Sequence, residues 1–340
     1  EGVLLHTRHD GKLLNLARLR SKTKIRRVLV REMLFADDAA FVSHSEDGLQ
    51  SLIDDFSCAC KDFGLTISIK KTEVLAQATP SIPKILIDNN PLNNVETFKY
   101  LGSTVSSNLM LEKEINTRIG RASAVYGKLQ KRVWLNRKLR LRTKTRVYAT
   151  CVLSTLLFGS ETWPAYARQE TRLNVFHLRC LRKLLGITWQ DRVTNQEVLD
   201  RANIPSIHCL LTERRLRWLG HVHRMEPDRL PKDLLYGQLA TGKRTTGRPY
   251  LRFKDVCKRD LKATSINIDN WEALAKNRAE WRKAVREGCK KAEDERNRIA
   301  GEKRERRKAS EGAAAGQLPS NDFICTKCTK HCRSRIGLFY

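Results

Sequence analysis

Met33-Leu34-Phe35-Ala36-Asp37-Asp38-Ala39-Ala40-Phe41-Val42 places two adjacent carboxylates between two short apolar runs. Each flank has the length and composition of a strand, so the segment predicts a β-hairpin with the Asp pair at its turn. Hard cations such as Mg²⁺ bind through one or two carboxylates together with substrate phosphates. Two such ions about 3.5–4 Å apart clamp the attacking and leaving oxygens of a phosphoryl transfer. The plain alternative is an acidic hairpin turn without chemistry, since Asp is a common turn residue.

The next segments extend the pattern. Ser43 and Glu46 have capping-box spacing, with Ser45 as an alternative cap. Leu49, Leu52, Ile53, Phe56, Cys60 and Phe63 recur at helical spacing, and Gly64 supplies a stop. Leu65-Thr66-Ile67-Ser68-Ile69-Lys70 alternates like a half-buried strand and runs into Lys71-Thr72. Phe98 to Val105 predicts two short strands turning at Leu101-Gly102.

In order and spacing these segments resemble the C-terminal part of a reverse transcriptase from a non-LTR (LINE-type) retrotransposon. Phe35-Ala36-Asp37-Asp38 resembles the palm hairpin, motif C. Gly64-Leu65-Thr66-Ile67-Ser68-Ile69-Lys70-Lys71-Thr72 resembles motif D, and Phe98-Lys99-Tyr100-Leu101-Gly102 resembles motif E, the primer grip. Further likeness runs through Phe158 to Trp163, His177 to Arg182, Gly186 to Trp189, Arg217-Trp218-Leu219-Gly220-His221 and Gly247-Arg248-Pro249.

The resemblance implies RNA-directed DNA synthesis on an RNA template and DNA primer. The primer 3′-hydroxyl attacks the α-phosphate of a deoxynucleotide, and pyrophosphate leaves. It implies Asp37 as a Mg²⁺ ligand with Asp38 supporting. It puts Lys71 beside the nucleotide phosphates, where a cation neutralises charge on the leaving group; a solvent-facing strand-end lysine remains the alternative. Leu101 and Gly102 fall in the primer-grip turn, where glycine lets backbone approach the primer. The family's motif A, with a further metal-binding Asp, and its nucleotide-selecting motif B find no counterpart. Thirty-four residues precede Phe35, and their acidic residues are Glu1, Asp10 and Glu32. The expectation is a fragment or truncated copy of a longer polyprotein, inactive as a polymerase by itself.

The 340 residues carry 65 Lys and Arg against 37 Asp and Glu, a net charge of +28. Such an excess predicts attraction to a polyanion. It is concentrated: from Ile115 to Ser160 there is no acidic residue, while eleven basic ones occur, Arg118 among them. Lys131, Arg132, Arg137, Lys138, Arg140 and Arg142 are the candidate phosphate contacts, since a one-sign surface tracks a phosphate backbone by counterion release. The longest uncharged run, Val147 to Ser160, is shorter than the ~20 residues of a membrane-spanning helix. It predicts a buried helix, and no membrane partner is expected. Seven scattered cysteines in a core-forming chain read as reduced thiols, and an intracellular location in nucleus and cytoplasm is expected.

Trp163, Trp189 and Trp218 lie beside apolar residues and predict packing rather than base stacking, although stacking is open to each. His177, His208, His221 and His223 lack metal-ligand spacing. Thr241 to Pro249 is a basic, glycine-punctuated loop without P-loop spacing. Phe253 to Leu261 and Trp271 to Val285 predict short helices. Cys325 and Cys328 have the spacing of half a zinc site; the resemblance implies that a His and a Cys beyond Tyr340 complete it, so an incomplete, weak zinc site is expected here.

The fold class expected is α+β. A partial palm (1–108) is followed by a helical thumb-like region (109–230) and a basic helical region (231–286). A charged helix and linker (287–320) and a truncated zinc-finger-like tail (321–340) complete the chain. Two rival readings are a non-catalytic nucleic-acid-binding module and a helical module for an acidic protein partner.

Overall fold

The computed structural model describes residues 2–20, 23–79, 81–242, 247, 249–316, 323–324 and 331–332. The chain divides into two compact units, Glu1–Ala292 and Glu293–Tyr340. The first is α+β. β1 (Val3–Thr7) and β2 (Arg26–Val30) pair antiparallel, and β3 (Glu32–Phe35) and β4 (Asp38–Phe41) form the expected hairpin. α1 (Glu46–Asp62) follows, capped by Ser45, whose Oγ accepts the Gly48 N–H at 3.1 Å. Gly64 at φ +67 ends it, as the sequence indicates.

One local expectation fails. Leu65–Ser68 is irregular and Ile69–Lys71 is a 3₁₀ turn, so the alternating segment is not a strand. No neighbouring strand offers it a ladder among the described residues, and alternation alone does not hold backbone extended. Pairing begins only at β5 (Glu73–Val74). β6 (Leu86–Ile87) pairs with β7 (Asn90–Pro91), and β8 (Asn93–Asn94) lies parallel to β5. Ile53, Val74, Ile85, Ile87 and Leu92 form a small core here, against which Phe41 and Leu49 pack. β9 (Thr97–Tyr100) and β10 (Ser103–Ser106) make a second hairpin.

From there helices dominate: α2 (Glu112–Lys128), α3 (Leu141–Val147), α4 (Ser154–Leu156), α5 (Ala167–Leu185), α6 (Asn195–Ala202), α7 (Ile207–His223) and α8 (Leu230–Tyr236). After the short β11 (Gln238–Leu239) come α9 (Phe253–Ala263), α10 (Trp271–Lys276) and α11 (Arg278–Gly316). A π-helical turn, Tyr148–Leu153, joins α3 to α4. That stretch buries only one face: Tyr148, Val152 and Leu156 are inside, while Ala149, Thr150 and Cys151 are exposed. The uncharged run is therefore amphipathic rather than wholly buried. Trp271 to Val285 is broken at Asn277, whose Oδ1 accepts the Ala279 N–H at 3.0 Å and caps α11.

Two cores share α7. Its first half (Ile207, Leu211) packs with Leu173, Leu181 and Val198. Its second half (Leu216, Leu219, Val222) packs with Leu235, Trp271 and Trp281. Between them Arg215, 1% exposed, is bound by Asp260 at 2.6 Å and Glu170 at 3.2 Å. The start of the chain joins the second core: β1 pairs with β11, Leu13 is buried there, and Arg26 bonds Asp233 at 2.8 Å.

In the second unit, β12 (Phe323–Ile324) pairs antiparallel with β13 (His331–Cys332). Cys325 and Cys328 lie outside the described residues, as do loop residues 243–246 and 248. Among the described residues no helix is long and apolar enough to cross a membrane.

Candidate nucleic-acid interface

The β3–β4 register pairs Phe35 with Asp38, leaving Ala36 and Asp37 as the turn. Ala36 takes φ +52, the positive value that a tight hairpin turn demands of its first residue. Asp37 thus caps the tip and Asp38 opens β4; both are exposed. Leu34 and Phe35, each 63% exposed, flank them. The base of the hairpin is better held: Val42 N–H donates to the Arg31 carbonyl at 2.8 Å, and Phe41 packs on Phe56 of α1, ring centroids 4.8 Å apart. Neither carboxylate is in an ion pair among the described residues, so their oxygens are open to a hard cation. Among the described residues no group of three or more His, Cys, Asp or Glu is arranged for a metal ion.

The second hairpin is tied to the first. Tyr100 Oη donates to the Met33 carbonyl at 2.9 Å. Its turn is Leu101 (φ +46) and Gly102 (φ +83), both left-handed, as a type I′ turn requires. A Cβ on Gly102 would lie 3.4 Å from the Phe158 ring. Below the turn, Glu114 of α2 accepts the Thr104 N–H at 2.8 Å and the Arg118 Nε–H at 2.6 Å. Arg118 also donates to the Gly102 carbonyl and lies 4.5 Å over the Phe158 ring. Arg118 is therefore a buried strut of the turn, not part of a phosphate-facing surface. The sequence signal was the i,i+4 spacing of Glu114 and Arg118. Lys71 ends the 3₁₀ turn, exposed, with no ion pair to Asp37 or Asp38.

The acid-free stretch has its own frame. After α2 the chain makes a π-helical turn, Gln130–Trp134. Trp134 is buried and stacked on Tyr126 with centroids 5.0 Å apart. Its indole N–H donates to the Tyr126 carbonyl at 2.8 Å, and its own carbonyl accepts from Lys144 at 2.8 Å. Asn136 Oδ1 takes the Lys138 N–H at 2.9 Å. Around this anchor Lys131, Arg132, Arg137, Lys138, Arg140 and Arg142 are all exposed, and none is in an ion pair among the described residues. The arrangement is a cationic rim on a fixed support.

Elsewhere, His177 is buried and bonded to Tyr148 Oη at 2.9 Å, and burial lowers its pKa to about 4. His208 pairs with Glu170 at 3.0 Å. Although burial pushes the Glu170 carboxyl up, His208, Arg215 and Arg259 hold it below its ordinary value. Trp163 is buried as expected. Trp189 is not: 86% exposed, it stands in the loop after α5. Apolar neighbours in sequence did not provide it with a pocket in space.

Over 265 residues, 74% of this chain, the sequence is 23% identical to a transposon-derived protein of Caenorhabditis elegans, covering 94% of that protein. Over 175 residues, 48% of this chain, it is 25% identical to the RNA-directed DNA polymerase from the mobile element jockey of Drosophila melanogaster. The chain is thus similar to proteins whose names place them in transposons or mobile elements. The matched stretch is 19% of the length of the jockey polymerase. No family model matches, and no solved structure matches.

Proposed function

We propose that the chain is part of an RNA-directed DNA polymerase of a non-LTR retrotransposon, and that what it performs by itself is gripping the template–primer duplex. The observation that carries this reading is the exposed, unpaired cationic rim from Lys131 to Arg142 on the same helical frame that supports the Leu101–Gly102 turn. The similarity to a mobile-element RNA-directed DNA polymerase supports the choice of nucleic acid as partner. Asp37 and Asp38 would bind Mg²⁺ at the hairpin tip, the ion supplying Lewis-acid stabilisation of the transferring phosphoryl group. Two carboxylates are too few for the two-metal clamp of in-line transfer. The chain alone therefore binds primer–template without extending it.

Phosphate contacts of this kind give affinity without base discrimination. With about four to six phosphates neutralised, log K falls against log[salt] with a slope of about −3 to −5, depending on strandedness. Replacing Arg137, Lys138, Arg140 and Arg142 with Gln should weaken binding to RNA–DNA hybrid and unrelated duplexes alike and flatten that slope. Fluorescence anisotropy across a salt series measures this. An unchanged slope would show that the rim does not face nucleic acid. Primer extension with Mg²⁺ on poly(rA)–oligo(dT), lost in Asp37→Ala, would overturn the non-catalytic half of the reading.

A further inference from the structure

A second cationic feature lies away from that rim. The exposed face of α7 and the first turns of α11 border a hollow of about 500 Å³. Along α7 and its C-cap, Arg217, His221 and Arg224 succeed one another at spacings of four and three, with Trp218 beside them, so they make one stripe. Across the hollow stand Arg278 and Arg282, one turn apart on α11. Gly220 permits this approach: a Cβ there would lie 2.2 Å from Trp281 Nε1. The Trp281 indole N–H donates to the Leu216 carbonyl at 3.0 Å and fixes the two helices together.

The charges on this lining are not balanced. Glu161 is its one carboxylate, and Arg214 already stands 3.7 Å from it. Arg217 has only a distant partner, Glu213 at 3.8 Å. Arg224 donates to the Ala275 carbonyl at 2.6 Å. Burial, then repulsion from Arg278 and Arg282, pulls the Arg224 pKa below its ordinary value. Arg278 and Arg282 are exposed and have no ion pair among the described residues. Guanidinium groups keep their charge at any working pH, so the repulsion persists until an anion enters. Trp218 is half-buried against the second core, its ring 5.4 Å from that of His221, and it lines the hollow.

We propose that this hollow binds single-stranded nucleic acid, with phosphates on Arg224, Arg278 and Arg282 and an unpaired base stacked on Trp218. Indole stacking combined with guanidinium contacts is the chemistry by which proteins hold unpaired strands. An acidic peptide would satisfy the arginines but brings no flat ring to Trp218. A duplex keeps its bases in its own stack. The proposal stands independently of the rim at Lys131–Arg142.

The test uses the full chain and a short fluorescein-labelled oligo(dT). Arg278→Gln with Arg282→Gln removes two exposed charges, and circular dichroism checks that the fold is retained. Anisotropy should show affinity falling about tenfold or more, and a salt slope shallower by about 1.4, since each phosphate on a single strand contributes about 0.7. Oligo(dT) should quench tryptophan fluorescence in the parent, and that quench should be lost in Trp218→Phe. The quadruple variant of the Arg137–Arg142 rim should keep the Trp218 quench, which separates failure of one site from failure of the other. Three results would each overturn the proposal: an unchanged slope in the double variant, equal competition by poly-glutamate, or an equal Trp218 quench by duplex of the same length.

Discussion

The hairpin of Asp37 and Asp38 rests on a small core, Ile53, Val74, Ile85, Ile87 and Leu92, and its tip projects Leu34 and Phe35 into solvent. The rim of Lys131–Arg142 instead rides on the helical core, anchored by buried Trp134 and Tyr148. The carboxylates thus have a secured base and a bare tip, while the cations have a rigid platform. A binding surface works from such a platform alone. Metal-dependent transfer needs carboxylates converging from several elements at fixed geometry, which one hairpin tip does not supply.

This contrast can be broken at several levels. The largest effect is expected at Arg215. Arg215→Ala removes the buried partner of Asp260 and Glu170, leaving them the half-exposed Arg259, where α7 passes between the two helical cores. A loss of about 3–5 kcal/mol is expected from urea denaturation. Next is Ile53→Ala in the hairpin's core, at about 2–5 kcal/mol of local stability. Hydrogen exchange should quicken in α1 and β3–β4 and stay slow in α5 and α7. Equal quickening in all four would mean the two regions unfold as one, and the comparison would fail.

A pH titration sharpens the picture of the helical core. His177 has its pKa lowered by burial to about 4 from 6.5, so it is neutral when folded and takes up a proton when the chain unfolds in acid. Its contribution is complete above pH 6.5, declines as the pH falls below that value, and levels off near pH 4 after a loss of about 3–4 kcal/mol. Urea midpoints from pH 8 to 4 measure this, and His177→Gln should make the dependence shallower by about one proton. Smaller still is the stability cost of the quadruple rim variant. It should stay within about 0.5 kcal/mol while duplex binding falls, because exposed, unpaired charges contribute little to folding. A large stability loss would mean the rim is structural. The smallest effect expected is that of a zinc chelator. Thermal unfolding of Glu1–Ala292 should not move, since its cores are built from aliphatic and aromatic side chains.

Much of the local structure was legible in the chain. The Asp-Asp turn, the Leu101–Gly102 turn and the Gly64 stop follow from backbone rules that act over a few residues, while the cap falls on Ser45, the alternative to the Ser43–Glu46 capping box. The six rim cations could be read as exposed because no acidic residue lies near them in sequence. Arg118 opens the same acid-free span but lies four residues from Glu114, and it is buried. A buried arginine and a surface one look alike until the Glu114 carboxylate and the Phe158 ring are seen around it.

By itself, then, the sequence determined the two hairpins, the helix ends and the one-sign stretch, each set by dihedral preference, capping or local charge. Only the tertiary structure decided which distant segments meet. It paired β1 with β11, left Leu65–Ser68 without a strand partner and left Trp189 in solvent. It also brought Arg278 and Arg282 against the Arg217–Arg224 stripe through the bare backbone at Gly220. Strand pairing, burial of charge and close helix contact all depend on partners far away in the chain, and periodicity carries no information about those partners.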